Sequence, residues 1–102
     1  MIGSMNKPRR SFALVSLPHG IYAIGGHDGS NYLKEVELYD FTLEKWIIVS
    51  SMNEPRCAHT ALVTGDLQNI IVSGGFHNKP LKSTEVFDII NEKWVQGAPL
   101  QT

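Results

Sequence analysis

The sequence predicts an all-β chain built of two four-stranded antiparallel blades, part of a β-propeller. Three observations predict it. The chain repeats itself: Met5-Asn6-Lys7-Pro8-Arg9 returns as Met52-Asn53-Glu54-Pro55-Arg56, and Glu44-Lys45-Trp46 returns unchanged as Glu92-Lys93-Trp94. Each copy of about 48 residues breaks into four short apolar or alternating runs, too closely spaced to admit helices between them. Four strands in a repeat of ~40–50 residues is the arithmetic of a propeller blade.

The elements follow in chain order. Arg9–Ser16 and Arg56–Thr64 are apolar runs that open after a proline and form the first strand of each copy. Gly20–Gly26 and Asn69–Gly75 carry Ile-Tyr-Ala-Ile and Ile-Ile-Val-Ser, second strands that stop at a double glycine. Glu35–Asp40 and Ser83–Asp88 alternate as third strands, and Lys45–Val49 and Lys93–Gln96 are tryptophan-bearing fourth strands. Pro18-His19-Gly20, Asp28-Gly29-Ser30 and Asn78-Lys79-Pro80 supply turns. The offset between copies is 47 at Met5, 49 at Gly25 and 48 from Leu33 onward, so the length changes fall in polar, turn-rich stretches. The division is then residues 5–51 for blade 1 and 52–97 for blade 2. Residues 1–4 are expected to be a disordered leader or cloning remnant, and 98–102 the start of a third repeat.

Composition narrows the function. Nine basic residues against ten acidic ones, with no basic cluster larger than Lys7, Arg9 and Arg10, make nucleic acid an unfavourable partner. No apolar run approaches the length of a membrane span, and the stretch Phe12–Leu17 is too short for a signal sequence. The single Cys57 excludes an internal disulfide, and the chain reads as cytoplasmic.

The pattern that carries identity is Gly-Gly, then Glu-x-[Tyr/Phe]-Asp eleven or twelve residues on, then Trp six residues after the Asp. Gly25, Gly26, Glu37, Tyr39, Asp40 and Trp46 match it, and so do Gly74, Gly75, Glu85, Phe87, Asp88 and Trp94. This resembles the kelch repeat, over residues 5–97. The wording of His27–Leu33 and Met52–Arg56 is similar to the kelch-like proteins, whose propellers usually follow BTB and BACK domains. Neither helical domain falls within these 102 residues.

The marked residues read first as scaffold. The double glycines permit positive φ and close approach of a neighbour. No helix or Gly-x-Gly-x-x-Gly pattern follows them, which argues against a phosphate cradle. Glu37 and Glu85 read as carboxylates held by a backbone amide or by Arg9 and Arg56, and their recurrence once per repeat argues against an acid–base pair. The tryptophans read as wedges between blades. His19, His27, His59 and His77 lack metal-ligand spacing, so no metal and no cofactor is expected. Cys57 reads as a small core hydrophobe.

Topology supplies the binding face. In an up-and-down blade the loop between strands two and three opens on the same rim as the link between blades. That rim gathers His27, Asp28, Ser30, Asn31 and Tyr32 from blade 1, and Phe76, His77, Asn78 and Lys79 from blade 2. The link adds Asn53, Glu54 and Arg56. Aromatic, amide, charged and imidazole groups on one rim suit recognition of a protein or peptide. The opposite rim, with Pro18, His19, Asp66, Gln68 and the Thr42–Glu44 turn, reads as plainer.

The resemblance therefore implies a protein-interaction module and no enzyme. It suggests the substrate-recruiting part of a cullin-3 ubiquitin-ligase adaptor, or a cytoskeletal binder. The alternative it leaves is a fragment of a kelch-fold enzyme, of copper oxidase or sugar mutarotase type, although a tyrosine–cysteine set for copper chemistry is not evident. Closed propellers need about four to eight blades. Two blades are expected to belong to a larger parent, to self-associate into a four- or six-blade ring, or to await a partner that completes them.

Overall fold

The computed structural model describes residues 5–97. The leader expected at 1–4 and the third repeat expected from 98 lie outside the described residues. Two four-stranded antiparallel sheets account for all the strands among the described residues. Blade 1 runs β1 (Ala13–Leu17), β2 (Gly20–His27), β3 (Tyr32–Asp40) and β4 (Lys45–Val49). Blade 2 runs β5 (Thr60–Val63), β6 (Asn69–Ser73), β7 (Thr84–Asp88) and β8 (Lys93–Gln96). In each sheet every strand pairs only with its sequence neighbours, in the order of the chain.

Register decides which face each residue occupies. Val15 opposes Tyr22, Tyr22 opposes Leu38, and Leu38 opposes Ile47, so one face of blade 1 is a continuous apolar surface. That face packs on blade 2, where Ile70 opposes Phe87 and Phe87 opposes Trp94. Ile24, Val36, Ile70 and Val72 in this seam have no exposed surface. Burying each such side chain is worth about 1.5–3 kcal/mol. The molecule's core is thus the joint between its blades.

The first strands begin later than the sequence suggests. Arg9–Phe12 and Arg56–His59 stay outside the ladder because Ser11 and Ala58 adopt left-handed backbone, with φ of 54° each. The chain makes one isolated bridge before each kink, Arg10 to His27 and Cys57 to Phe76. Apolar composition alone does not reveal such a kink. β2 also runs one residue past its double glycine to His27, through a bulge between Ile24 and Gly26, whereas β6 stops at Ser73.

Candidate functional site

The joint is assembled around the Arg56–Glu85 pair, and an Arg9–Glu37 pair repeats that arrangement on the outer face of blade 1. Glu85, on β7, accepts hydrogen bonds from the backbone N–H of Asn53 at 2.7 Å and Glu54 at 3.0 Å, and from Arg56 Nη2 at 3.0 Å. Arg56 Nη1 donates to the carbonyls of Gly74 at 2.9 Å and Ser83 at 3.0 Å. Glu37, on β3, is held in the same way. Asn6 N–H, Lys7 N–H and Arg9 Nη2 approach its carboxylate at 2.7, 3.1 and 2.8 Å. All four charged side chains are essentially without exposure. Burial alone would raise the Glu37 pKa, but the Asn6 and Lys7 amides and the Arg9 guanidinium together hold it below the ordinary carboxylate value.

Arg56 therefore requires a correction. Expected among the rim residues, it is 0% exposed, and its guanidinium is consumed by Glu85 and the backbone of its own blade. An arginine after proline in a polar link reads as surface; only its distant carboxylate shows otherwise. Cys57 differs too, being half-buried in the bridge to Phe76 rather than in the core.

The link that Arg56 anchors also ties the blades together. Met52 N–H donates to the Lys34 carbonyl at 2.9 Å, Arg56 N–H to Leu33 at 3.1 Å, and Gly26 N–H to the Arg56 carbonyl at 2.8 Å. Gly25, at φ 65°, lies so close that a Cβ there would meet the Arg56 carbonyl at 2.7 Å. Gly75, at φ 90°, would meet the Cys57 carbonyl at 2.6 Å. Trp94 spans the joint, its indole N–H donating to the Ser50 carbonyl at 2.9 Å. Trp46 packs on Tyr39 of its own blade at 5.5 Å between ring centroids.

From its spacing His59 reads only as a histidine without metal-ligand partners. In the structure it is a seam residue, with Nε2 2.9 Å from the Ile24 carbonyl across the joint. Burial pushes its pKa down to about 4, the Arg56 charge adding to the effect. Its position after the kink at Ala58 was the missing signal.

Above the joint, the rim loops converge. Tyr32 stands at the centre, with its ring 4.9 Å from His27, 5.2 Å from His77 and 6.0 Å from Phe76. Two edge-on imidazoles from different blades thus flank one phenol, a contact that spacing in the sequence does not predict. Glu54 Oε2 lies 2.7 Å from His77 Nδ1 and fixes that imidazole from the link. Asp28 accepts the backbone N–H of Ser30 at 2.8 Å and Asn31 at 2.7 Å, so its loop is a closed turn, and the amides lower its pKa. Gly29 N–H donates to His27 Nδ1 at 2.9 Å. Ser30, Asn31, Asn53, Phe76, Asn78 and Lys79 are exposed, while His27, Asp28, Tyr32, Glu54 and His77 are half-buried. The arrangement offers a preorganised aromatic and imidazole surface with amides and charges around it. Among the described residues, no three of His, Cys, Asp and Glu come together as a metal-binding group. No helix among the described residues is long and apolar enough to cross a membrane.

Comparison with known proteins is consistent along the chain. The Kelch motif matches residues 8–53 and again residues 55–101. Human Kelch-like protein 6 is 31% identical over 98 residues, covering 95% of this chain and 15% of the relative. Kelch repeat-containing protein kel-10 of Caenorhabditis elegans is 35% identical over 86 residues, covering 80% of this chain and 14% of the relative. Beta-scruin of Limulus polyphemus is 30% identical over 105 residues, covering 94% of this chain and 11% of the relative. The chain thus spans between 11% and 15% of the length of these relatives.

Proposed function

The chain belongs to the kelch-repeat family, and from that membership we propose that it binds a protein or peptide on the rim centred on Tyr32. One observation carries the proposal. The cluster of His27, Tyr32, Phe76 and His77 is drawn from both blades, with both imidazoles edge-on to Tyr32 and Phe76 tilted against it, yet it remains partly open to solvent. Aromatic side chains presented on a rigid scaffold bind with little loss of conformational freedom, which is why they dominate interface energetics. Asn53, Asn78 and Lys79 surround the cluster with hydrogen-bonding and charged groups, the polar margin that excludes water from such a centre.

In the whole protein this surface is the substrate-recruiting part of a cullin-3 ubiquitin-ligase adaptor. The resemblance to kelch-like proteins supports that role, and the BTB domain carried in the name of a second worm relative, Kelch repeat and BTB domain-containing protein F47D12.7, agrees with it. The module acts in the cytoplasm and carries no chemistry of its own. Cytoskeletal attachment is the other binding role open to the same rim.

The test is differential capture from cytoplasmic extract by the wild-type chain and by Tyr32→Ala and Phe76→Ala chains. Proteins lost from both variants are rim partners. The adaptor role predicts that their cellular levels rise when cullin activation is blocked. Unchanged levels, with cytoskeletal proteins among those lost, would reassign the rim to cytoskeletal attachment. Identical capture by all three chains would refute the rim.

A further inference from the structure

A cleft of about 250 Å³ opens between the two blades beside the β1–β2 and β3–β4 turns, on the rim opposite Tyr32. Its walls are apolar, formed by Leu38 and Ile47 of blade 1 and Phe87 of blade 2. Val49 and Ile89 extend the apolar lining, and the polar and acidic part is Tyr22, Asp40 and Glu92, with His19 at the Tyr22 hydroxyl, 2.9 Å away. No lysine or arginine lines it among the described residues. Lys45 stands opposite Asp40 across the β3–β4 pair, yet among the described residues neither carboxylate is in an ion pair.

Asp40 differs from its counterpart in blade 2 in a way that leaves its charge available. Asp88 closes its turn with Oδ1 on the Ile90 and Asn91 N–H groups, and its Oδ2 accepts from Asn91 Nδ2 at 2.8 Å. Asp40 closes the same turn with Oδ1 on Thr42 and Leu43, at 2.8 and 3.0 Å. Leu43 stands where Asn91 does, so the donor for the second oxygen is missing. The local field agrees: burial first, then Glu92 and Asp40, raise the Tyr22 hydroxyl pKa to about 12.

We propose that this cleft receives a single arginine side chain presented by a partner protein. The volume is below the ~300–1,000 Å³ of pockets that enclose drug-sized ligands, so it suits one side chain. An arginine places its methylene stem along the Leu38–Ile47 wall and its charge at the carboxylates. Tyr22 and Phe87 are 4% and 1% exposed and pack edge-on, so they floor the cleft. Arginine is favoured over lysine because its planar fork meets a carboxylate bidentately, while an ammonium is a point charge. The site lies on the other rim and stands whether or not the Tyr32 cluster binds anything.

The test is an NMR titration of the full chain with the blocked tripeptide Gly-Arg-Gly, using Gly-Lys-Gly and Gly-Leu-Gly as controls. Expected are shifts of the Tyr22, Leu38 and Phe87 amides, saturating at millimolar peptide and weakening with salt. The Asp40→Asn, Glu92→Gln double variant keeps the Asp40 turn acceptor and is expected to weaken binding about tenfold. Tyr32→Ala is expected to leave it unchanged, which separates this site from the rim. Equal shifts with the leucine peptide, equal affinity for the lysine peptide, shifts confined to the Tyr32 rim, or no effect of the double variant would each overturn the proposal.

Discussion

At the scale of single residues, the determinants are buried ionisable groups. Arg56→Ala leaves Glu85 buried without its cation, and losing one partner of a buried pair costs about 3–5 kcal/mol. Urea denaturation is expected to show that loss, with Arg56→Lys recovering only part of it because one ammonium cannot reach all of the guanidinium's acceptors. The loss of binding in such variants reflects the scaffold, so rim chemistry must be probed elsewhere. His59 gives the acid limb of stability. Its imidazole is held neutral, with a pKa of about 4 folded against 6.5 in the open chain. The unfolded chain binds the extra proton between those values, so stability is complete above pH 6.5 and falls as the pH drops toward 4. The loss amounts to at most about 3 kcal/mol. The lowered Glu37 pKa adds a second loss, confined to more acid solution. His59→Gln is expected to flatten the slope between pH 6.5 and 4; an unchanged slope would contradict the seam assignment.

At the scale of elements, strand identity was legible because alternation and turn residues are local signals. Glu35–Asp40 and Ser83–Asp88 read as strands from their own residues, and β3 and β7 lie there, with β3 starting earlier at Tyr32. The starts of β1 and β5 were not legible, since neither serine nor alanine marks a left-handed kink locally, and the two kinks meet only in the fold, where the Ala58 N–H donates to the Ser11 carbonyl at 2.8 Å. The double glycines were legible as tight spots, and the structure supplies what crowds them. Gly25→Ala and Gly75→Ala each combine a positive φ with a carbonyl inside contact distance. Gly29 shares the positive φ, at 105°, but has nothing within 4 Å of a new Cβ. Thermal unfolding is expected to rank Gly29→Ala well above the other two, its cost limited to the ~1–2 kcal/mol of left-handed strain. Similar losses at all three positions would mean that backbone conformation, not the crowding carbonyl, governs the motif.

At the scale of the molecule, the repeat was legible and the identity of the joint was not. The repeat made Arg9 and Arg56 legible as holders of Glu37 and Glu85, but that the second pair is buried in the joint needs the fold, and so does the meeting of His27 and His77 around Tyr32. The N-terminal segment from Asn6 to Arg9 caps Glu37 as the link caps Glu85, so blade 1 carries half of another joint. The outer faces beside these joints are apolar: Leu14 and Ile48 are 58% and 59% exposed on one side, Leu62 and Val95 57% and 54% on the other. Such patches predict association of the isolated chain as concentration rises. Light scattering is expected to report a mass above 11.3 kDa, reduced by Leu62→Lys with Val95→Lys. A monomer at all concentrations would show that the outer faces do not attract one another. The central claim is that binding resides on a rim shared by both blades. Affinity for a captured partner, compared among the wild-type, Tyr32→Ala and Phe76→Ala chains, tests it most directly. The expected result is at least a tenfold loss, about 1.4 kcal/mol, in both variants with little change in unfolding midpoint. Wild-type affinity in both variants would contradict it.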